Sequence, residues 1–303
     1  MTFRAETLDI SISGGRRRAL DFFELTKPRL VLMVLITTCV GFYLGAGEVP
    51  NYLQLIHTLI GTALAAGGTL ALNQLIERET DARMERTRHR PLPEGRVQPI
   101  EVLIFGLLST AAGLVILALA VNVFSSLITA IIVVIYLFFY TPLKQKTSLC
   151  SVVGAIPGAL PPLIGWVAAH GSLGLEAWIL FALLFLWQIP HSLAIARLYR
   201  VDFARAGFRF LPVVEPDGGS TGRQIVGHSL ALLVVSLMPT LLGLAGLFYY
   251  VTALLLGGAF LVCGAIVAID KSVTSARRLL FASLLYLPLV LLVMALDRGP
   301  IPL

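Results

Sequence analysis

Nine stretches of this sequence are long and apolar enough to cross a lipid bilayer, and no other feature limits its fold as severely. They lie at roughly 28–46, 54–76, 100–120, 123–140, 149–169, 176–198, 224–247, 250–269 and 277–296. About 20 apolar residues cover the hydrocarbon core. Inside it a chain can leave no backbone group without a partner, so each stretch must be helical. Composition agrees: 57% of residues are hydrophobic, 13% are charged and mean hydropathy is +0.88, whereas soluble proteins are about a quarter charged. That deficit excludes the pair of soluble domains a 303-residue chain could otherwise form. The expected fold class is all-α, a polytopic membrane protein with about nine transmembrane helices. Two joints are tight, around Asn122 and at Phe248–Val251, and the first span is short.

The basic residues orient these spans. With the N-terminus inside, the tail holds Arg4, Arg16, Arg17, Arg18, Lys27 and Arg29, and the second loop holds Arg78, Arg83, Arg86, Arg88, Arg90 and Arg96. The fourth loop holds Lys144 and Lys146, the sixth Arg197, Arg200, Arg205, Arg209 and Arg223, and the eighth Lys271, Arg277 and Arg278. Of the 23 basic residues only Arg298 falls on the other side, which is the positive-inside pattern. Residues 1–27 are thus a cytoplasmic tail and 28–303 one membrane domain. The net charge of +6 is orientation signal and calls for no nucleic-acid partner. The tail, acidic as well as basic and without an apolar core before Leu30, resembles neither a signal nor a transit peptide. Cys39, Cys150 and Cys263 are far apart and read as packing residues.

Against this background one segment stands out, NQLIERETDARMERTRHRPLP, from Asn73 to Pro93. On a helix continuing the second span, Asn73, Glu77, Asp81 and Glu85 share one face, with Arg83, Arg86 and Arg90 opposite. Carboxylates four residues apart repel, and a hard cation such as Mg²⁺ would relieve the stripe while sharing its other positions with phosphate oxygens. A second polar cluster, after WQIPHS, contains His191, Arg197, Arg200, Asp202 and Arg205, and a third, FFYTPLKQKT, contains Tyr140, Lys144 and Lys146. Asp202 is a further candidate metal ligand. Acids for a metal and cations for phosphate, all at one membrane face, suit a diphosphate ester whose greasy tail lies in the bilayer. The plainer reading is a solvated charged loop, with Glu79 pairing Arg83. Asn73 and Glu77, at the edge of lipid depth where polar groups are costly, argue against it.

With these motifs in hand, the sequence resembles the UbiA superfamily of intramembrane prenyltransferases, and within it the branch that farnesylates heme. Asn73, Glu77 and Asp81 match the Asn-x3-Asp/Glu-x3-Asp motif, and Met84, Arg86, Thr87, Arg90, Pro91 and Leu92 match the segment that follows it in that branch. Tyr140–Trp166, Trp187–Ser192, Asp202–Val214 and Phe281–Leu289 also match. The second motif, usually Asp-x3-Asp, keeps only Asp202, between Leu198 and Ala206. The resemblance implies a helix bundle around a central cavity, with Mg²⁺ as cofactor held by Asn73, Glu77, Asp81 and Asp202. It implies catalytic Arg86, Arg90, Lys144 and Arg200 on the diphosphate, and substrate contacts from His191, Tyr140 and Gln188. A farnesyl group would pass from farnesyl diphosphate to the vinyl group of heme b, a substrate and not a cofactor, giving heme o. His191 is a candidate iron ligand, though a lone membrane histidine is more often a packed hydrogen-bonding residue. His57, His170 and His228 read as structural, and Pro157, Pro161 and Pro162 as a kink in the fifth helix. Membrane lipid, heme A synthase and oxidase-assembly proteins are the further partners implied, in a bacterial cytoplasmic (inner) membrane.

Two other readings remain: a prenyltransferase of the same superfamily acting on a quinone precursor, and a transporter using the acidic stripe as a cation site. The orientation is directly testable. Cysteines introduced at Gly47 and Ser172 should react with an impermeant thiol reagent added outside the cell, and one at Gly218 should not; the reverse pattern overturns the topology.

Overall fold

The structure, a computed structural model, describes residues 15–299 apart from 16 and 48, so Arg4 and Arg16 lie outside the described residues. Among the described residues nine helices are long and apolar enough to span a membrane. They are α1 (Pro28–Gly45), α2 (Tyr52–Ile76), α3 (Pro99–Ala120), α4 (Val123–Leu143), α5 (Cys150–His170), α6 (Leu175–Leu198), α7 (Gly219–Leu241), α8 (Leu247–Asp270) and α9 (Val273–Leu296). Short helical turns at Arg78–Asp81, Arg200–Arg205 and Leu211–Val214 lie in the loops.

The helices pack in the way lipid demands. Lipid tails are as apolar as leucine, so association depends on close backbone approach at small residues. Where α1 crosses α5, a methyl group on Gly41 would fall 2.0 Å from the Pro162 carbonyl oxygen, and one on Gly165 1.9 Å from that of Thr38. α2 packs against α3, α7 against α8, and α6 lies against α5, α7 and α9. Between α8 and α9 the rings of Phe260 and Tyr286 lie 5.4 Å apart, both fully buried.

Three boundaries differ from the sequence reading. The joint expected at Phe248–Val251 lies at Leu242–Gly246, α7 begins at Gly219 instead of near 224, and α9 begins at Val273 instead of near 277. Uniform apolarity hides a turn of this kind. What makes it is Gly243 at φ +73°, with the Thr240 hydroxyl donating to the Gly246 carbonyl at 3.1 Å. The Asn122 joint lies where expected: its side chain accepts from Ser125 N at 2.7 Å and donates to Val167 O at 3.0 Å.

Two irregularities shape the interior. α5 breaks at Leu160, between Cys150–Ala159 and Pro161–His170; Pro161 has no N–H to donate and its ring would crowd the preceding turn. α4 widens to a π-helical turn over Ile135–Tyr140, a local underwinding that often accompanies functional sites. At one end of the bundle Arg298 donates to the Ala46 carbonyl, with its guanidinium 5.0 Å from the Tyr43 ring centre. The N-terminal residues and the second, fourth, sixth and eighth loops converge at the other end. There Asp21 pairs with Arg96, Arg209 N donates to Lys144 O at 2.6 Å, and Arg197 reaches the Lys271 carbonyl.

Gly165→Ala should lower the melting temperature of the detergent-purified protein, because overpacking against backbone costs about 1–3 kcal/mol while alanine's helix propensity returns about 1 kcal/mol at most. Gly258→Ala, whose added methyl group meets nothing within 4 Å, should leave that temperature unchanged or raise it.

Candidate active site

The site is built at the end of α2. The helix stops at Ile76, but Glu77 N still donates to Asn73 O at 3.0 Å and Asp81 N to Glu77 O at 2.8 Å. Asn73, Glu77 and Asp81 therefore stay on one face, at 0%, 7% and 1% exposure. Beyond Asp81 the expected continuous helix gives way to a tight fold-back. The Thr80 hydroxyl donates to Glu77 O at 2.7 Å, and that of Thr87 to Asp81 O at 2.8 Å. Glu85 consequently leaves the stripe and pairs with Arg88 at the surface, and Glu79 lies nearest Arg78, at 3.9 Å, instead of Arg83. Arg90, placed opposite the acids by helical spacing, returns to Asp81 Oδ2 at 2.6 Å.

The acidic stripe is relieved by the chain's own cations. Lys144, at the end of α4, donates to Glu77 Oε1 at 2.7 Å. Its ammonium lies 4.5 Å from the Tyr140 ring centre and 5.7 Å from that of Phe208, a cation–π setting. Lys27 donates to Asn73 Oδ1 at 3.1 Å. The Asn73 amide is oriented by its other end: Nδ2 donates to Thr141 Oγ1 at 3.0 Å, whose own proton goes to Tyr136 O at 2.8 Å. Lys27 was legible in the sequence only as a topology charge. It stands in the left-handed region, at φ +50°, a conformation costing an L-residue about 1–2 kcal/mol. Its carbonyl accepts from Leu30 N and Val31 N at the start of α1. Burial pushes its ammonium down to about 7, with Arg90 and Lys144 acting in the same direction and Glu77 and Asp81 opposing.

The sixth loop closes over this cluster. The Arg86 guanidinium lies 4.9 Å from the Tyr199 ring centre and 5.4 Å from that of Phe203, and feels the charges of both Asp81 and Asp202. Met84 is buried among Cys150, Phe203, Phe208 and Phe210, so the greasy residues of both motifs form a small core that docks loop on loop. Asp202 lies 3.6 Å from Arg205. Arg200 is exposed beside Arg197 and makes no ion pair among the described residues.

A cavity of about 500 Å³ lies within the bundle, lined by α1, α2, α4, α5, α6 and α9, and it adjoins the cluster at Tyr140, whose ring meets the Lys144 ammonium. Its walls are mostly apolar, with Tyr136, Tyr140, Gln188 and His191 among the few polar groups. Two glycines of α5 make room for them: a methyl group on Gly154 would fall 2.4 Å from the Tyr140 ring, and one on Gly158 2.1 Å from Gln188 Oε1. Met33, Ile36 and Leu284 line the cavity and are exposed. A separate hollow of about 470 Å³ beside Arg223 and His228 contains none of the motif residues. Among the described residues no three His, Cys, Asp or Glu side chains form a metal-binding group. The donor set here is two carboxylates and one amide, which fits Mg²⁺ when phosphate oxygens complete its shell.

Residues 34–287 match the UbiA prenyltransferase family. The chain belongs to the UbiA prenyltransferase family. It is a multi-pass integral membrane protein, and the match spans the acid-bearing turn and most of the cavity wall. The protoheme IX farnesyltransferase of Solibacter usitatus is 50% identical over 287 residues, 92% of this chain and 98% of that one. That of Koribacter versatilis is 44% identical, over 92% and 93%. Among solved structures, a digeranylgeranylglyceryl phosphate synthase superposes with a TM-score of 0.79 at 16% identity, covering 93% of this chain and 98% of that one. A UbiA homologue from Archaeoglobus fulgidus bound to GPP and Mg²⁺ gives a TM-score of 0.65 at 17% identity, covering 91% and 99%. At such identities these structures establish the UbiA fold.

Lys144→Met should destabilise the protein by about 3–5 kcal/mol, because it leaves the Glu77 carboxylate buried without its cation. Adding Glu77→Gln should recover part of that loss in a thermal unfolding assay without restoring activity. Equal melting temperatures for wild type and Lys144→Met would show that the pair carries no structural weight.

Proposed function

We propose that this protein transfers a farnesyl group from farnesyl diphosphate to the vinyl group of heme b, giving heme o and diphosphate. The observation that carries the reading is a cation-rich cluster that adjoins, through Tyr140, an apolar intramembrane cavity. Lys144, Arg86 and Arg90 stand at the two carboxylates Glu77 and Asp81, with Lys27 alongside on Asn73, a surplus of positive charge suited to diphosphate, while the cavity suits its isoprenoid tail. The names of the relatives support heme as the acceptor, and their agreement leaves the quinone-precursor and transporter readings without support.

Asn73, Glu77 and Asp81 would hold Mg²⁺, which when bound supplies Lewis-acid stabilisation of the leaving diphosphate. Asp202 is proposed to join through the second loop's contacts with the sixth. Arg90, Lys144, Lys27 and Arg86 then provide preorganised positive charge where negative charge grows. As the bond between C1 of farnesyl and the diphosphate oxygen breaks, its electrons leave with diphosphate. The vinyl group's electron pair forms the new carbon–carbon bond, and the cation left beside the porphyrin ring takes up water and releases a proton. Tyr136 and Tyr140 on the cavity wall supply aromatic rings that would stabilise the allylic cation, and the apolar walls keep bulk water away until the bond has formed. Orientation with the charged end in the cytoplasm of a bacterial inner membrane supplies both substrates from that side.

Purified protein given heme b, farnesyl diphosphate and Mg²⁺ should yield heme o by mass; no product with active control enzyme alongside would overturn the reading. Asp81→Asn should cut turnover at least a hundredfold, about 2.7 kcal/mol of transition-state stabilisation. Because Arg90 holds Asp81, this change should also lower stability instead of relieving repulsion. Arg90→Lys should lose activity at normal expression, since lysine cannot reproduce a bidentate fork, whereas Arg17→Lys should not. Equal activity in the two would reduce Arg90 to an orientation charge.

A further inference from the structure

The late block Phe281–Leu289 stood out in the sequence without acquiring a role. Its Ser283, on α9 and fully buried, makes two short contacts through one oxygen. Ser283 Oγ lies 2.6 Å from the Leu280 carbonyl oxygen and 2.7 Å from His191 Nδ1 on α6. Each contact needs a proton between its heavy atoms. The Leu280 carbonyl has none to give, and the hydroxyl has one. The serine proton must therefore point to Leu280, and the proton shared with His191 must belong to Nδ1. A neutral imidazole protonated at Nδ1 carries a bare lone pair on Nε2.

The same residue holds the ring in place. Trp187, one turn before His191, stacks on it with centroids 4.7 Å apart and planes 19° from parallel. The Trp187 indole N–H donates to the Ser283 carbonyl at 3.0 Å. Ser283 thus engages both rings, one through its backbone and one through its hydroxyl. His191 Nε2 makes no hydrogen bond among the described residues, and the side chain lines the cavity. A histidine whose far nitrogen donates to a fixed oxygen while the near one is bare is arranged as metal-ligating histidines are.

We infer that Ser283 is a positioning residue, locking His191 in the Nδ1–H tautomer so that Nε2 serves as an axial ligand to the iron of the heme substrate. This rests on the proposed heme specificity. It gives the acceptor a fixed point of attachment, orienting the porphyrin relative to the diphosphate cluster without any contact to the reacting vinyl carbon.

Heme b titrated into the purified full-length protein, without farnesyl diphosphate, separates this inference from the function. The wild type should give the absorption and electron paramagnetic resonance spectra of histidine-ligated heme. His191→Gly should lose them, and added imidazole should restore them. Ser283→Ala, which keeps the Trp187 bond because that bond uses the backbone, should weaken heme binding about tenfold and raise the KM for heme more than it lowers kcat. Ser283→Thr should behave as wild type. If the wild type makes heme o but its heme spectrum is unchanged in His191→Gly, the ligand role is overturned and the function stands. If Ser283→Ala binds heme with unaltered affinity and spectrum, the positioning role is overturned alone. Failure of the wild type both to bind heme and to make heme o overturns the function, and this inference with it.

Discussion

Everything at the charged end of this protein follows from placing two carboxylates at the edge of a membrane. Glu77 and Asp81 are nearly inaccessible, and a buried charge without a partner is among the most costly features a fold can contain. Each is matched by a cation from elsewhere: Lys144 from the end of α4, Arg90 from the fold-back. Meeting that demand draws the second and fourth loops together, and Lys27 brings in the start of α1 through Asn73. The polar face is therefore one connected body and not a set of separate loops on helix ends.

The apolar part obeys a different rule. Its cohesion comes from backbone proximity at Gly41 and Gly165, and its hollow from places where regular helix geometry is broken. The π turn at Ile135–Tyr140 carries Tyr140 to the cavity wall, and the broken α5 lines the same wall with Gly154, Gly158 and Pro161. Irregular backbone is tolerated at membrane depth where it lines a cavity or is covered by protein. The distortions therefore mark where the bundle is hollow.

Much of this was legible in the residue order. Lipid imposes helices on apolar runs, so nine spans and their alternation could be read directly, as could the shared face of Asn73, Glu77 and Asp81. The proline-broken fifth helix was equally plain. The unread features depend on contacts between segments distant in sequence. Helical spacing placed Arg90 opposite Asp81, and only the turn made by the Thr80 and Thr87 hydroxyls brings them together. Lys27 looked like any other inside charge because nothing local shows that its ammonium meets Asn73, 46 residues on. The α7–α8 joint was misplaced because a left-handed glycine inside an apolar run leaves hydropathy unchanged.

The Glu77–Lys144 pair also imposes an order of assembly. Its members are 67 residues apart, which at about 5–20 residues per second of synthesis is a wait of roughly 3–13 s. During that interval α2 has emerged with a carboxylate at its end and no lysine to meet it. Asp81 can find Arg90 almost at once, nine residues later, but Glu77 must stay hydrated at the lipid interface until α4 arrives.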